Sequence, residues 1–259
     1  MSVEIPKPVE KFVERWKRKE GVEGIIVTGS FVTKYYEENR SDVDIYIVLS
    51  DKINWREKGN VVIDGMLIEY FANPIRQIKS YFAEEHKNNK RTTARMFLLG
   101  KILFDKSGEV KKLKAESKKW FETPFEKLPN WKVELYKCSI WDMVDELHSV
   151  FERDAINFDL VYFNTLADIL KMYSEFLRVE VPGLSKIDRF ILDEEFRKEY
   201  LYDDFPDQDF IKIFLKCLEN KEKKKKLENV EGLCKHIFEK IGGFEIDGWK
   251  IRTKVINFK

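Results

Sequence analysis

The feature that most constrains this chain is an apolar run broken in one particular way. Residues Asp42 to Ser50 read DVDIYIVLS, β-branched and aromatic from Val43 onward, with two aspartates one residue apart at the start. On a strand, residues two apart share a face, so Asp42 and Asp44 project together while Val43, Ile45 and Ile47 project the other way into a core. Two carboxylates on one face repel each other. The arrangement is stable where water bathes it or a cation bridges it, and a hard divalent ion with oxygen ligands is the natural bridge.

The flanks of this run sharpen the reading. EGIIVTG, residues 23–29, is predicted as a buried strand that ends in a tight turn at Gly29-Ser30, and FVTKYYEEN, residues 31–39, as a helix starting from that turn. NVVIDGMLIEYFA contains a hairpin turned at Asp64-Gly65, and its second arm carries Glu69 inside an apolar stretch that can pair beside the first strand. Three carboxylates on neighbouring strands can hold one or two Mg²⁺ ions, the arrangement used for in-line attack at a nucleotide phosphate. A lone Asp-x-Asp is equally well explained as an exposed strand edge. The Gly-Ser turn before it and Glu69 after it favour the metal. Gly29 lets the backbone approach a phosphate, a following helix offers free N–H groups, and Ser30 adds a hydroxyl. The GxxxxGK[ST] pattern of a P-loop is absent.

Elsewhere the periodicity predicts an amphipathic helix over Pro6–Glu20. Another helix opens in NPIRQIKSYFAEEHKNN, with Asn73 as cap and Pro74 at its first position, and a third lies in KRTTARMFLLG. A short KILFD segment precedes a Lys-rich helix near Val110–Phe121. After ETPFEKLPNW the chain becomes almost wholly helical, with three- and four-residue apolar spacing over Trp131–Glu152, Phe158–Leu177, Ser185–Tyr200, Asp209–Asn220 and Asn229–Ile241. The expected class is therefore α+β followed by α: a domain over 1–122 with a small mixed β-sheet flanked by helices, then an all-helical domain over 123–259. KEKKKKLE, residues 221–228, reads as solvated helix surface, and FEIDGWKIRTKVINF as a small closing hairpin about Asp247-Gly248.

Composition excludes some partners. Lys and Arg number 47 against 46 Asp and Glu, a formal net charge of +1, so electrostatics do not call for a nucleic acid. Three widely spaced cysteines in apolar helical patterns read as reduced core residues. The amphipathic, charged N-terminus and the lack of any run near ~20 apolar residues lead to the expectation of a soluble cytoplasmic protein with no membrane partner.

Gly29-Ser30, 11 residues (31–41, ending in Ser41), Asp42-Val43-Asp44 and the later Glu69 resemble the signature of the nucleotidyltransferase superfamily typified by DNA polymerase β. The likeness covers about the first 105 residues, and the helical remainder is similar in architecture to the C-terminal domains of bacterial aminoglycoside and lincosamide nucleotidyltransferases. The resemblance implies that Asp42, Asp44 and Glu69 bind Mg²⁺, with Glu69 as third ligand or general base. It also implies that Gly29 and Ser30 hold the triphosphate of ATP or another nucleotide.

Further cations for the triphosphate are sought in Lys34, Arg91, Arg95 and Lys186, and Lys186 is favoured because Ser185-Lys186 is similar to the phosphate-contacting lysine segment of streptomycin-type adenylyltransferases. The helix SIWDMVDELHSVFERD places Asp142, Asp145 and Glu146 on one face and resembles the helix by which kanamycin-type enzymes supply a base, which makes Asp145 a catalytic candidate on an acceptor cleft closed by the helical domain. An ordinary solvated acidic face explains that spacing as well. His148 and His236 read as structural. The implied function is transfer of a nucleoside monophosphate, AMP from ATP, to a hydroxyl of a small molecule such as an aminoglycoside or lincosamide. A protein-modifying nucleotidyltransferase of antitoxin type is the alternative. Relatives of this architecture often dimerise, so a homodimer is an expected partner state.

Overall fold

A computed structural model describes residues 5–38 and 40–252. The chain divides into two compact units. One runs through Phe125 and takes in Glu195–Tyr202; the other comprises Glu126–Glu194 and the chain from Asp203 onward.

The first unit is built on five strands: β1 (Val22–Thr28), β2 (Val43–Leu49), β3 (Glu57–Ile63), β4 (Met66–Pro74) and β5 (Lys101–Asp105), in the order β3-β4-β2-β1-β5. The sheet is mixed: β2 and β4 run parallel, and every other pairing is antiparallel. β1 and β2 are central and nearly continuous in burial because both faces are covered. One face, with Ile25, Val27, Val43, Ile45, Ile47 and Ile68, packs under α1 (Lys7–Trp16), whose Val9, Phe12, Val13 and Trp16 form its buried stripe. The other, with Ile26, Tyr46 and Val48, packs under α2 (Ile75–Lys87), α3 (Thr92–Leu99) and α4 (Glu109–Glu122) through Ile78, Phe82, Phe97 and Leu113.

The β3–β4 hairpin turns at Asp64-Gly65, as predicted; φ is +50° and +83° at the two residues, the left-handed pair that a two-residue hairpin loop requires. Two local expectations differ. Asn73 is the penultimate residue of β4 rather than a cap, and its amide donates to the buried Tyr46 hydroxyl (3.0 Å), so Pro74 takes the N-cap position of α2. The segment after Gly29-Ser30 forms only a single 3-10 turn, Gly29–Val32. Thr33 stops it: its hydroxyl donates to the Ser30 carbonyl (2.9 Å) and accepts from the Tyr35 amide (3.2 Å), giving the backbone local partners that compete with a helix.

The second unit is helical, with α5 (Asn130–Glu152), α6 (Phe158–Leu177), α7 (Ile187–Leu192), α9 (Gln208–Glu219) and α10 (Lys223–Lys240). Ile140, Leu147, Phe158, Tyr162, Ile169, Tyr173, Phe210, Phe214, Val230 and Ile237 are its buried side chains. The helix predicted over Ser185–Tyr200 is broken, because Asp193 is extended (φ −113°, ψ 98°) between α7 and α8 (Glu194–Glu199). The Lys-rich run begins α10, but it is not uniformly solvated: Lys226 is 5% exposed, bonds Asp159 at 2.6 Å and lies over the rings of Tyr162 and Phe163. Long amphipathic stems bury in this way when the ammonium has a carboxylate to reach. Residues 244–252 carry no strand, and the rest of the second arm of the predicted closing hairpin lies outside the described residues. Cys217 and Cys234 are buried and Cys138 half-buried, all as free thiols; burial pushes the first two up to about 12.

Candidate active site

Asp44 lies in β2, flanked in register by Thr28 of β1 and Glu69 of β4. Because β2 and β4 are parallel and in register, their side chains at this level point to the same face, and Asp42 joins them from the residue before Val43. The three carboxylates each bring an oxygen within 4.8 Å of the others, and all three residues are half-buried. Gly29 closes the site from the β1 side. Its φ is +69°, and a β-carbon there would stand 1.8 Å from Asp44 Oδ2, so the turn and the carboxylate are packed without room for a methyl group. Thr28, 1% exposed, donates its hydroxyl to the Met96 carbonyl (2.9 Å) and so ties the end of β1 to α3.

Burial, with Glu38 and Asp42 nearby, raises the Tyr36 phenol above its ordinary value. On the far side the ammonium of Lys58, from the edge strand β3, stands 3.0 Å from Glu69 and over the ring of Phe71 at 4.9 Å. Sequence reading missed Lys58, although the Asp64-Gly65 turn sets its place. A two-residue loop pairs Asn60 with Glu69 and leaves Lys58 diagonal to it on the same face.

The donor set fits a hard divalent cation. Three carboxylate oxygens this close are mutually repulsive, and magnesium and its relatives prefer such oxygens.

The other expected residues are placed as follows. Ser30 is half-buried beside Gly29, within the 3-10 turn. Lys34 is exposed and ion-paired with Glu195 (2.9 Å) on the segment that returns to the first unit. Arg91 and Arg95 are each 7% exposed and committed to packing: Arg91 lies over Phe125 (4.1 Å) and Arg95 over Tyr202 (4.0 Å), and Arg95 Nε donates to the Tyr200 carbonyl (2.5 Å). Lys186 and Asp145 stand in the second unit, both exposed, Lys186 at the start of α7 and Asp145 on α5 beside the exposed Asp142 and Glu146. His148 pairs with Glu231 (2.8 Å). His236 pairs with Asp207 (2.8 Å), the N-cap of α9.

Residues 9–129 match the family model of the nucleotidyltransferase domain. No curated protein gives a significant match. Among solved structures, the chain is similar to a nucleotidyltransferase-like protein from Exiguobacterium sibiricum 255-15, with 12% identity, coverage of 90% of this chain and 78% of that one, and a TM-score of 0.46. Among the described residues, no helix is long and apolar enough to cross a membrane.

Proposed function

We propose that this chain, with its N-terminal nucleotidyltransferase domain, is a divalent-metal-dependent enzyme that transfers AMP from ATP to a hydroxyl of a small molecule, with aminoglycosides and lincosamides as the first acceptors to test. The observation that carries the reading is the meeting of Asp42, Asp44 and Glu69 beside the Gly29-Ser30 turn, within the matched region.

In this reading Asp42, Asp44 and Glu69 hold Mg²⁺, and the ion supplies neutralisation of charge on the triphosphate and the departing pyrophosphate. Gly29 brings backbone to the phosphates without a side chain in the way, and Ser30 offers a hydroxyl. The acceptor oxygen forms a bond to the α-phosphorus as the bond to the bridging oxygen of the pyrophosphate breaks. The electron pair leaves with pyrophosphate, and the acceptor proton passes to a carboxylate of the cluster and on to water. Positioning and electrostatics carry the rate, so no covalent intermediate with the chain is needed. Lys34 and Lys186 are assigned to the triphosphate and Asp145 to the acceptor, each to be tested by a single neutral substitution.

The test is incubation of the protein with Mg²⁺ and labelled ATP against a panel of hydroxylated antibiotics, reading pyrophosphate and labelled product, with Asp44→Asn in parallel. Disturbing even the supporting shell of a metal site costs ~10–100-fold, so loss of a ligand is expected to lower turnover by about a hundredfold or more. Turnover undiminished in Asp44→Asn would overturn the mechanism, and label on a protein instead of a small molecule would overturn the acceptor.

A further inference from the structure

A cavity of about 580 Å³ opens on the first unit, on the same sheet face as the carboxylates. Its aromatic floor is the half-buried Phe71, which is stacked at 27° on the buried Tyr46 with centroids 5.9 Å apart. Each lies two residues beyond a cluster residue on its own strand, Tyr46 after Asp44 and Phe71 after Glu69, a same-face step of about 7 Å. Tyr81 of α2 and Thr92, Thr93 and Met96 of α3 make the walls. Two links join cavity and cluster: Lys58 lines the first while its ammonium faces Glu69, and Met96 lines it while its carbonyl holds Thr28 beside Asp44.

Direction decides what this space is for. In an in-line displacement the nucleophile and the leaving group stand on opposite sides of the phosphorus. The leaving pyrophosphate belongs with Gly29-Ser30, which lies towards β1 and the beginning of β2. The strand residues of the cavity lie the opposite way on both counts, on β4 and β3 and further along β2, with α3 closing the side nearer β1.

We infer that this cavity is the acceptor subsite. It receives a hydroxyl-bearing ring compound with an aromatic or apolar ring face, set against the half-buried Phe71, Tyr81 and Met96 so that its hydroxyl reaches the level of Glu69. The volume suits one small molecule, and the apolar lining of Phe71, Tyr81 and Met96 is joined by the charged Arg56, Glu57, Lys58 and Glu85, groups able to fix the orientation of a hydroxylated ring. The assignment rests on the proposed nucleotidyl transfer and gives the acceptor a ring seat in the first unit, in addition to the Asp145 assigned above, on residues that no sequence signal marked.

The experiment uses the full chain and three variants, Thr92→Trp, Tyr81→Ala and Asp44→Asn. Benzyl alcohol, phenol and methyl α-glucoside serve as ring probes at millimolar concentration, followed by saturation-transfer NMR. A non-hydrolysable ATP analogue with Mg²⁺ is titrated calorimetrically in parallel. Thr92 is exposed at the mouth, so a tryptophan there fills the cavity without disturbing the core, and thermal melts check each fold. The expected result is that at least one probe binds the wild type and Asp44→Asn but is lost in Thr92→Trp and weakened in Tyr81→Ala. The nucleotide analogue should be lost only in Asp44→Asn. Absence of binding by every probe, or a fall of about tenfold or more in nucleotide affinity in Thr92→Trp with probe binding intact, would overturn the acceptor assignment. Nucleotide binding that survives in Asp44→Asn would overturn the transfer mechanism itself, which separates the two failures.

Discussion

Replacing Gly29 with alanine is expected to do two separable things, and Gly65 supplies the control. Both glycines have positive φ, +69° and +83°. An alanine in this region costs roughly 1–2 kcal/mol of backbone strain at either place. At Gly65 nothing lies within 4 Å of an added methyl group, so strain is the whole effect. At Gly29 the methyl would meet Asp44 Oδ2 at 1.8 Å, Cγ at 2.7 Å and Cβ at 3.0 Å. Rotation of the carboxylate cannot relieve the last of these contacts. Either the turn moves away from β2 or Asp44 leaves the cluster. Gly29→Ala should therefore lose about 1 kcal/mol or more of stability beyond Gly65→Ala, within the ordinary range for overpacking. It should also bind metal about tenfold or more weakly, a difference of ~1.4 kcal/mol. Urea unfolding gives the first quantity; Mn²⁺ titration by electron paramagnetic resonance gives the second. Equal destabilisation by the two substitutions, with wild-type Mn²⁺ affinity in Gly29→Ala, would refute the packing of turn on carboxylate.

Lys58→Met removes the cation that faces Glu69 and should tighten Mn²⁺ binding by up to about fivefold, since a partly exposed pair of this kind is worth ~0.2–1 kcal/mol; weaker binding would show that Lys58 helps to build the site rather than compete for it. Asp207 sets an acid limit. Burial opposes its ionisation, but the Tyr173 hydroxyl, the Phe210 amide and His236 outweigh it and hold the carboxyl at about 2. A folded pKa below the unfolded one gives stability that is present above pH ~4 and lost as the pH falls towards 2, here about 2 kcal/mol. Asp207→Asn should abolish that part of the acid dependence in urea unfolding, whereas an unchanged pH profile would show that another group sets it.

The carboxylate cluster was legible because alternation puts Asp42 and Asp44 on one face and leaves Glu69 as the carboxylate of a strand that can pair beside them. The Asp64-Gly65 turn fixes the β3–β4 register, Asn60 opposite Glu69, while the parallel β2–β4 pairing that sets Glu69 beside Asp44 is long-range. What stayed hidden depends on partners remote in sequence. The 3-10 turn at Gly29 is short where Thr33 bonds the Ser30 carbonyl and the β-branched and aromatic Val32, Thr33, Tyr35 and Tyr36 add weak helix propensity. Asn73 looked like a cap, yet Tyr46, 27 residues away, claims its amide. Lys226 sat in a run of lysines indistinguishable by charge until Asp159 and two rings singled it out. Arg91 and Arg95 carried the right chemistry for a phosphate, but Phe121, Phe125 and Tyr202 cover them, and no spacing rule foretells that.

The return of Glu195–Tyr202 to the first unit bears on how the chain can be made. Phe196 and Tyr200 pack against Tyr35, and the Tyr200 carbonyl accepts from Arg95 across 105 residues. All of Glu126–Glu194 must be synthesised before those contacts can form. A ribosome releasing this protein from its N-terminus therefore delivers the sheet and its carboxylates early, but with the rings of Tyr35 and the guanidinium of Arg95 still awaiting their last neighbours. Closing so long a loop costs little more than closing a shorter one, because the entropy grows only with the logarithm of its length. The delay is one of time rather than of free energy, and a fragment cut at Phe125 would keep that unfinished surface permanently.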